Sequence, residues 1–162
     1  MLTAITCCIS GKQNKRKKVK QAKWKKEVRN EVTSIKAVLP CEINKVWELV
    51  FGVENYGAWR SDLSKIEVVN NRQFIEYTKD GYSTKFTVTL VEPYARWEFE
   101  MENSNMTGHW IGVFTERGDE TEIDFTECVK AKKWFMKPFI KSYLRKQQAQ
   151  FVADIRKALG MM

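Results

Sequence analysis

Histidine and paired cysteines are scarce in this 162-residue sequence, and each shortage excludes a class of site. His109 is the only histidine, and the four cysteines contain no CxxC pair: Cys7, Cys8, Cys41 and Cys128. No set of residues therefore has the spacing of a zinc site. Also missing are a Ser-His-Asp set, a glycine-rich phosphate loop and a paired-carboxylate motif. We expect no metal and no cofactor, and the sequence lacks the residue sets that most enzymes use for catalysis.

A long hydrophobic run is missing too. The apolar segment at residues 1–9 is far shorter than the ~18 residues of a membrane span, and its positive charges follow the apolar part, unlike a signal peptide. It is interpreted as a disordered tail or a misassigned start; alternatively, Cys7 and Cys8 beside the basic run form a two-signal peripheral anchor. Because nothing marks a disulfide framework, we expect a cytoplasmic protein, with peripheral membrane contact left open.

The positive charge is concentrated near the N-terminus. The net charge is +8, but nine basic residues lie between Lys12 and Lys26, and the chain from Glu27 onward carries 19 basic and 20 acidic residues. Residues 1–23 are predicted to be a basic, disordered tail and residues 24–162 one folded domain. The tail favours contact with an anionic membrane. Nucleic-acid binding ranks last, because the folded part is nearly neutral.

The order of periodic segments predicts an α+β fold. A strand over 32–39 precedes a short amphipathic helix that ends near Gly52, and a helical turn over 53–59 follows. Six strands of period two then run from Leu63 to Val129, and a long amphipathic helix extends from Pro138 to Gly160. Because the sheet has one apolar face, we expect a curved, seven-stranded antiparallel sheet wrapped around this helix and enclosing an apolar cavity.

Several motifs resemble the START-related superfamily of polyketide cyclases, lipid-transfer domains and pollen allergens (SRPBCC). They are Val38-Leu-Pro-Cys-Glu-Ile-Asn-Lys-Val-Trp47, Asn55-Tyr-Gly-Ala-Trp59, Gly108-His-Trp110 and Gly118-Asp-Glu-Thr121. The resemblance spans about residues 32–159. It implies the helix-grip fold, with a deep hydrophobic cavity between sheet and long helix that binds lipids, sterols, polyketides or other apolar molecules. Only a minority of such proteins are enzymes.

Two residues are candidates for catalysis. His109 alone titrates near neutral pH, although a histidine without an evident partner is more often structural. Glu127 shares strand parity with Ile123 and Phe125, so its carboxylate faces the cavity if that side of the strand is dry, or it is exposed at the strand end. Glu76 lies on a strand whose two faces are equally apolar, and its direction stays open.

Aromatic residues and one amide are the candidates for ligand contact. Gln147 falls within the apolar stripe of the long helix, so its amide is predicted to face the cavity. The full set is Trp47, Trp59, Tyr77, Trp97, Phe99, Trp110, Phe125, Tyr143, Gln147 and Phe151. The leading hypothesis is non-catalytic binding, with transport as an option, of a hydrophobic small molecule or lipid. The alternative is a polyketide cyclase or dehydratase that uses a cavity carboxylate or histidine.

A second basic group surrounds Trp134 and Phe135 at the start of the long helix. Its members are Lys130, Lys132, Lys133, Lys137, Lys141, Arg145 and Lys146. One interpretation is a solvated helix face. The other is a surface that, with the tail, holds the protein near an anionic membrane while the aromatic rings enter the interface.

Overall fold

The computed structural model describes residues 30–161. The predicted tail, residues 1–23, and its anchor and membrane hypotheses lie outside this range. The elements are β1 (Glu31–Leu39), α1 (Ile43–Phe51), a 3-10 turn (Val53–Asn55), α2 (Tyr56–Trp59), β2 (Leu63–Asn70), β3 (Gln73–Thr78), β4 (Ser83–Glu92), β5 (Arg96–Glu102), β6 (Met106–Arg117), β7 (Glu120–Ala131), a second 3-10 turn (Trp134–Met136) and α3 (Lys137–Ala158).

The seven strands form one antiparallel sheet in the order β1-β7-β6-β5-β4-β3-β2. Strands β2 to β7 pair with their neighbours in sequence, whereas β1 pairs with β7, so that the chain returns to its beginning. The predicted α+β fold with a seven-stranded sheet around a long C-terminal helix is confirmed.

One face of the sheet is apolar because side chains alternate along each strand. On β7, Ile123, Phe125 and Val129 are buried on this face, while Glu122 and Asp124 point to the other. In residues 110–114, which are apolar on both strand parities, Trp110 and Phe114 face the core. Eight aromatic side chains of the described residues therefore belong to one buried core.

Helix α3 crosses the apolar face and contributes a narrow buried stripe. Its buried side chains are Ile140, Leu144, Gln148, Val152, Asp154 and Ile155. The amide at the centre of this stripe is Gln148, whose Nε2 donates to the Thr33 carbonyl at 3.3 Å. Gln147, the amide predicted for this stripe, precedes Gln148 in the sequence, lies at the edge of the stripe and is half-buried. Among the described residues, no helix is long and apolar enough to cross a membrane.

Candidate functional site

A cavity of about 120 Å³ lies between the sheet and α3. Its walls come from strands β3 to β7, from α3, and from the segment that joins α2 to β2. Drug-sized ligands occupy pockets of about 300–1,000 Å³, whereas a cavity of about 150 Å³ holds a benzene ring. By its volume the space therefore suits a ligand of about one ring.

Stacked aromatic rings build the apolar wall. Phe74 and Phe86 stack with centroids 4.7 Å apart, and Phe99 stacks on Trp110 at 4.7 Å with an interplanar angle of 2°. Trp97 meets Phe99 edge to face at 4.9 Å. Rings held from several sides are stiff, so this wall presents flat apolar surfaces of fixed orientation.

A charged cluster of three side chains, Arg60, Asp62 and Glu76, forms part of the cavity wall. Arg60 donates through Nε and Nη2 to the two carboxylate oxygens of Asp62, at 2.8 and 2.7 Å, and through Nη1 to Glu76 at 3.2 Å. All three side chains are largely buried. Burial alone would lower the pKa of Arg60, but the Glu76 and Asp62 carboxylates outweigh it and raise that pKa. Arg60 is therefore charged in the folded protein.

The two carboxyl groups on Arg60 titrate differently. Burial would raise the pKa of Asp62, yet the bidentate hydrogen bonds and the charge of Arg60 hold it below its ordinary value. Burial raises the pKa of Glu76, and its single hydrogen bond to Arg60 only partly opposes this. The guanidinium charge is thus largely neutralised by Asp62.

Helix α3 fixes the position of Arg60 through a buried carboxylate. Asp154 Oδ2 accepts hydrogen bonds from the Ser61 backbone N–H at 2.8 Å and from Ser61 Oγ at 2.9 Å. Gln150 Nε2 donates to Asp154 Oδ1 at 3.0 Å. The guanidinium of Arg60 also lies 4.8 Å from the centroid of Phe151. The segment that carries Arg60 and Asp62 is therefore tied to the long helix.

Glu127 enters the cavity from β7, and its surroundings keep it protonated. Burial raises its pKa to about 8, the nearby Glu76 carboxyl adds to this, and Arg60 opposes it. No described residue forms a hydrogen bond with its Oε2 atom. Most of the Glu127 population at neutral pH is therefore a neutral carboxylic acid that can donate a hydrogen bond.

A second polar atom of the cavity wall has no hydrogen-bond partner among the described residues. It is the indole Nε1 of Trp97, which is buried. A buried donor without an acceptor costs free energy, about 1–3 kcal/mol. Glu127 and Trp97 both line the cavity, and each holds a buried polar atom without a hydrogen-bond partner among the described residues.

The comparisons with known proteins agree with this architecture. Residues 21–160 match the family described as polyketide cyclase / dehydrase and lipid transport. The chain belongs to this family. No curated protein matches the chain in sequence.

Solved structures of the same fold share little sequence with this family member. A START superfamily protein from Mycobacterium smegmatis matches with a TM-score of 0.73 and 10% identity, over 80% of this chain and 97% of that one. A conserved protein from Geobacillus kaustophilus matches with a TM-score of 0.71 and 12% identity, over 80% of this chain and 95% of that one. An aromatase/cyclase from Streptomyces sp. R1128 matches with a TM-score of 0.68 and 10% identity, over 78% of this chain and 92% of that one. At such identities the likeness concerns the fold alone.

Most of the expected ligand-contact residues of this family member line the cavity. They are Trp97, Phe99, Trp110, Phe125, Tyr143, Gln147 and Phe151. Three others lie elsewhere. Trp47 packs under α1 against Phe51 and Phe114, and Trp59 lies behind Phe151 at 5.7 Å. Tyr77 is on the opposite face of the sheet, where its hydroxyl donates to Glu67 at 3.2 Å.

The two catalytic candidates lie on opposite faces of the sheet. Glu127 is in the cavity, but His109 precedes Trp110 on β6 and points away from it. His109 Nε2 lies 3.0 Å from Glu98 Oε2 on β5, and this hydrogen bond helps to lower the pKa of Glu98. The histidine therefore does not reach the cavity. Of the two candidates in the enzyme hypothesis, only the Glu127 carboxyl lines the cavity.

Sequence reasoning missed Arg60 and Asp62. Both follow Trp59 at the end of α2, in a segment with no periodicity to assign a direction. The available signal was the density of charge in an Arg-Ser-Asp segment directly after the Tyr56 and Trp59 pair. Glu76, whose direction the sequence did not decide, shares strand parity with Phe74 and faces the cavity, where it accepts a hydrogen bond from Arg60.

Proposed function

We propose that this protein binds a compact, neutral, largely aromatic molecule in the cavity, with a carbonyl or similar acceptor group directed at Glu127, and that it does so without catalysis. The observation that carries the proposal is a buried, protonated carboxyl whose Oε2 has no partner among the described residues, set in a wall of stacked rings. A carbonyl oxygen would satisfy this donor.

The charge of the cavity disfavours acidic ligands. Arg60 is already held by Asp62 and Glu76, so little of its positive charge is left for a ligand carboxylate. An anionic group placed near Glu127 would also meet the Glu76 and Asp62 carboxyls. Free fatty acids are therefore expected to bind poorly, and the small cavity volume points the same way.

A matched pair of one-ring probes tests this selectivity. Acetophenone carries a neutral carbonyl, and benzoate has a similar size but a negative charge. We expect acetophenone, but not benzoate, to raise the thermal unfolding temperature and to give saturable heat in calorimetric titration near neutral pH. Palmitate serves as the test of a long-chain acid. Binding of benzoate or palmitate in preference to acetophenone would contradict the proposal.

Substitutions at Glu127 test the hydrogen bond itself. Glu127→Gln keeps a donor and should retain acetophenone binding, whereas Glu127→Leu removes it and should weaken binding about tenfold. Glu120→Gln, at the exposed start of the same strand, is the control and should bind as the unmodified protein does. Equal affinity of all four proteins would show that the carboxyl does not contact the ligand.

A second candidate function is a cyclase or dehydratase reaction, favoured by the same protonated carboxyl. At neutral pH, Glu127 could donate its proton to a ligand carbonyl during ring closure, or to a departing hydroxyl that leaves as water. Incubation with an aromatic β-hydroxyketone, followed by mass spectrometry for loss of water, tests it. Turnover that Glu127→Gln abolishes would support catalysis; turnover that persists in this variant would exclude Glu127 as the acid.

A further inference from the structure

Trp134 and Phe139 are the two most exposed large apolar side chains that the structure describes, and they lie with Phe135 where β7 passes into α3. Trp134 is 81% exposed, Phe139 71% and Phe135 54%. The rings of Trp134 and Phe135 meet edge to face at 6.1 Å, so part of their contact is with each other rather than with the core. With the basic residues Lys133, Lys137, Lys141 and Arg145, they are called the basic-aromatic patch.

The charge of the patch has one sign. Residues 128–153 contain seven basic side chains and no acidic one. Lys132 pairs with Glu102 at 2.8 Å, but Lys133, Lys137, Lys141 and Arg145 form no ion pair with any described residue. These four cations therefore remain available to an external anion.

These charges do not serve the stability of the helix. The first turn of α3 contains no acidic residue. Cations near a helix N-terminus are repelled by its positive dipole end, so Lys137 is placed where it weakens the helix. Rings that stay largely exposed also add little to the free energy of folding, because they bury little apolar surface. Exposed rings beside cations that do not stabilise the helix are typical of a binding surface.

The arrangement of the patch fits a lipid surface. A bilayer places anionic phosphates directly beside an apolar interior, and aromatic rings flanked by cations match both layers. The patch also continues into the cavity wall: Phe139, Tyr143, Gln147 and Phe151 follow one another at four-residue intervals along one edge of α3. Tyr143 is both 44% exposed and part of the cavity lining. An acidic protein would supply the charge but not the apolar layer.

We propose that the basic-aromatic patch docks this protein on anionic lipid bilayers, with the rings of Trp134, Phe135 and Phe139 in the interface and the four cations on the phosphates. The edge of α3 then leads from the bilayer to the cavity. Docking is independent of the proposed ligand, since it requires only the patch.

Vesicle co-sedimentation with the full chain tests the docking. Vesicles of phosphatidylcholine with about one-fifth phosphatidylserine are compared with pure phosphatidylcholine vesicles. We expect binding to the first and little to the second, weakened when salt rises from about 0.1 to about 0.5 M. Because the basic N-terminal segment is present, charge alone does not identify the contact, and the rings must be tested separately.

Substitution of the rings separates insertion from simple attraction. The double variant Trp134→Ala with Phe139→Ala keeps every charge, and it should lower the partition coefficient by about tenfold or more. Val69→Ala, which removes part of another exposed apolar side chain on β2, is the control. Because the rings are solvent-exposed, circular dichroism should show unchanged folding in both variants. Quenching by lipids brominated in the acyl chains should fall in Trp134→Phe if Trp134 inserts.

Charge variants complete the test. Lys137→Gln with Lys141→Gln should weaken vesicle binding, whereas Arg156→Gln with Lys157→Gln at the other end of α3 should not. Undiminished binding by the Trp134 and Phe139 variant would overturn the proposal, as would failure to bind the anionic vesicles. Binding to single-stranded DNA or to an acidic polypeptide, with none to vesicles, would overturn it in favour of another partner.

Discussion

The carboxyl group of Glu127 is buried at its Oε2 atom, so ionising it in the folded protein costs free energy. Its pKa is about 8 in the folded protein against an ordinary value of 4.5. Between these values the folded state binds more protons than the unfolded state. Ionisation in the unfolded chain therefore lowers the stability as the pH rises through this window.

Glu127→Gln should remove this dependence. Near pH 5 the variant and the unmodified protein should have similar free energies of unfolding. Near pH 9 the variant should be more stable, by a difference on the order of 4 kcal/mol. Urea unfolding at several pH values gives both curves. Parallel curves at all pH values would mean that Glu127 is solvated and ionises normally.

Gly112 is a second residue whose identity is dictated by its surroundings. The ring of Trp110 folds over it on the same face of β6, so that an added Cβ would come within 2.1 Å of the indole. The Trp110 ring can cover the strand and stack on Phe99 only because position 112 has no side chain.

Gly112→Ala should displace Trp110 and lower the stability by about 1–3 kcal/mol. The control is Gly57→Ala in α2, where no atom lies within 4 Å of the added Cβ. That change should leave the stability equal or raise it by about 0.5–1 kcal/mol. Thermal unfolding measures both, and equal effects at the two sites would contradict the contact between Trp110 and Gly112.

At the scale of elements, α3 both covers the sheet and positions the charged cluster. Asp154 reaches from α3 to Ser61, next to Arg60, and so connects two parts of the chain 93 residues apart. The link is buried, and its loss would leave the Ser61 backbone N–H without its acceptor.

Asp154→Ala should therefore destabilise the protein by about 1–3 kcal/mol. It should also loosen the Arg60 segment, so that acetophenone binds more weakly than to the unmodified protein. Ser142→Ala, at an exposed position of the same helix, should change neither quantity. Urea unfolding and calorimetric titration supply the two readouts. A free energy of unfolding equal to that of Ser142→Ala would show that the link between Asp154 and Ser61 does not stabilise the fold.

At the scale of the whole molecule, one core joins every layer. It runs from Val46 and Trp47 on α1, through the sheet aromatics, to Leu144 and Val152 on α3. Because these residues form one continuous apolar core, the parts of residues 30–161 are expected to lose their packing together.

Urea unfolding should accordingly follow a single transition. Far-UV circular dichroism reports the secondary structure and tryptophan fluorescence reports the core, and the two curves should coincide. A transition of α3 that precedes the loss of the sheet would separate the curves and contradict this prediction.

The sequence by itself determined the architecture. Alternation along the strands, Pro40 and Pro138 near helix starts, and the apolar stripe of α3 depend on local periodicity, which short segments express without help from distant ones. The same periodicity placed Phe125 and Glu127 on one strand face. Seven of the ten residues predicted for ligand contact line the cavity.

Only the tertiary structure decided which side chains meet. His109 and Trp110 are neighbours in sequence, yet alternation on β6 puts them on opposite faces, and an apolar stretch on both parities could not reveal which faces inward. The hydrogen-bond partner of Glu76 is Arg60, which lies in a segment without periodicity. The cavity volume and the pKa of Glu127 arise from packing among distant segments, so they have no local pattern from which they could be read.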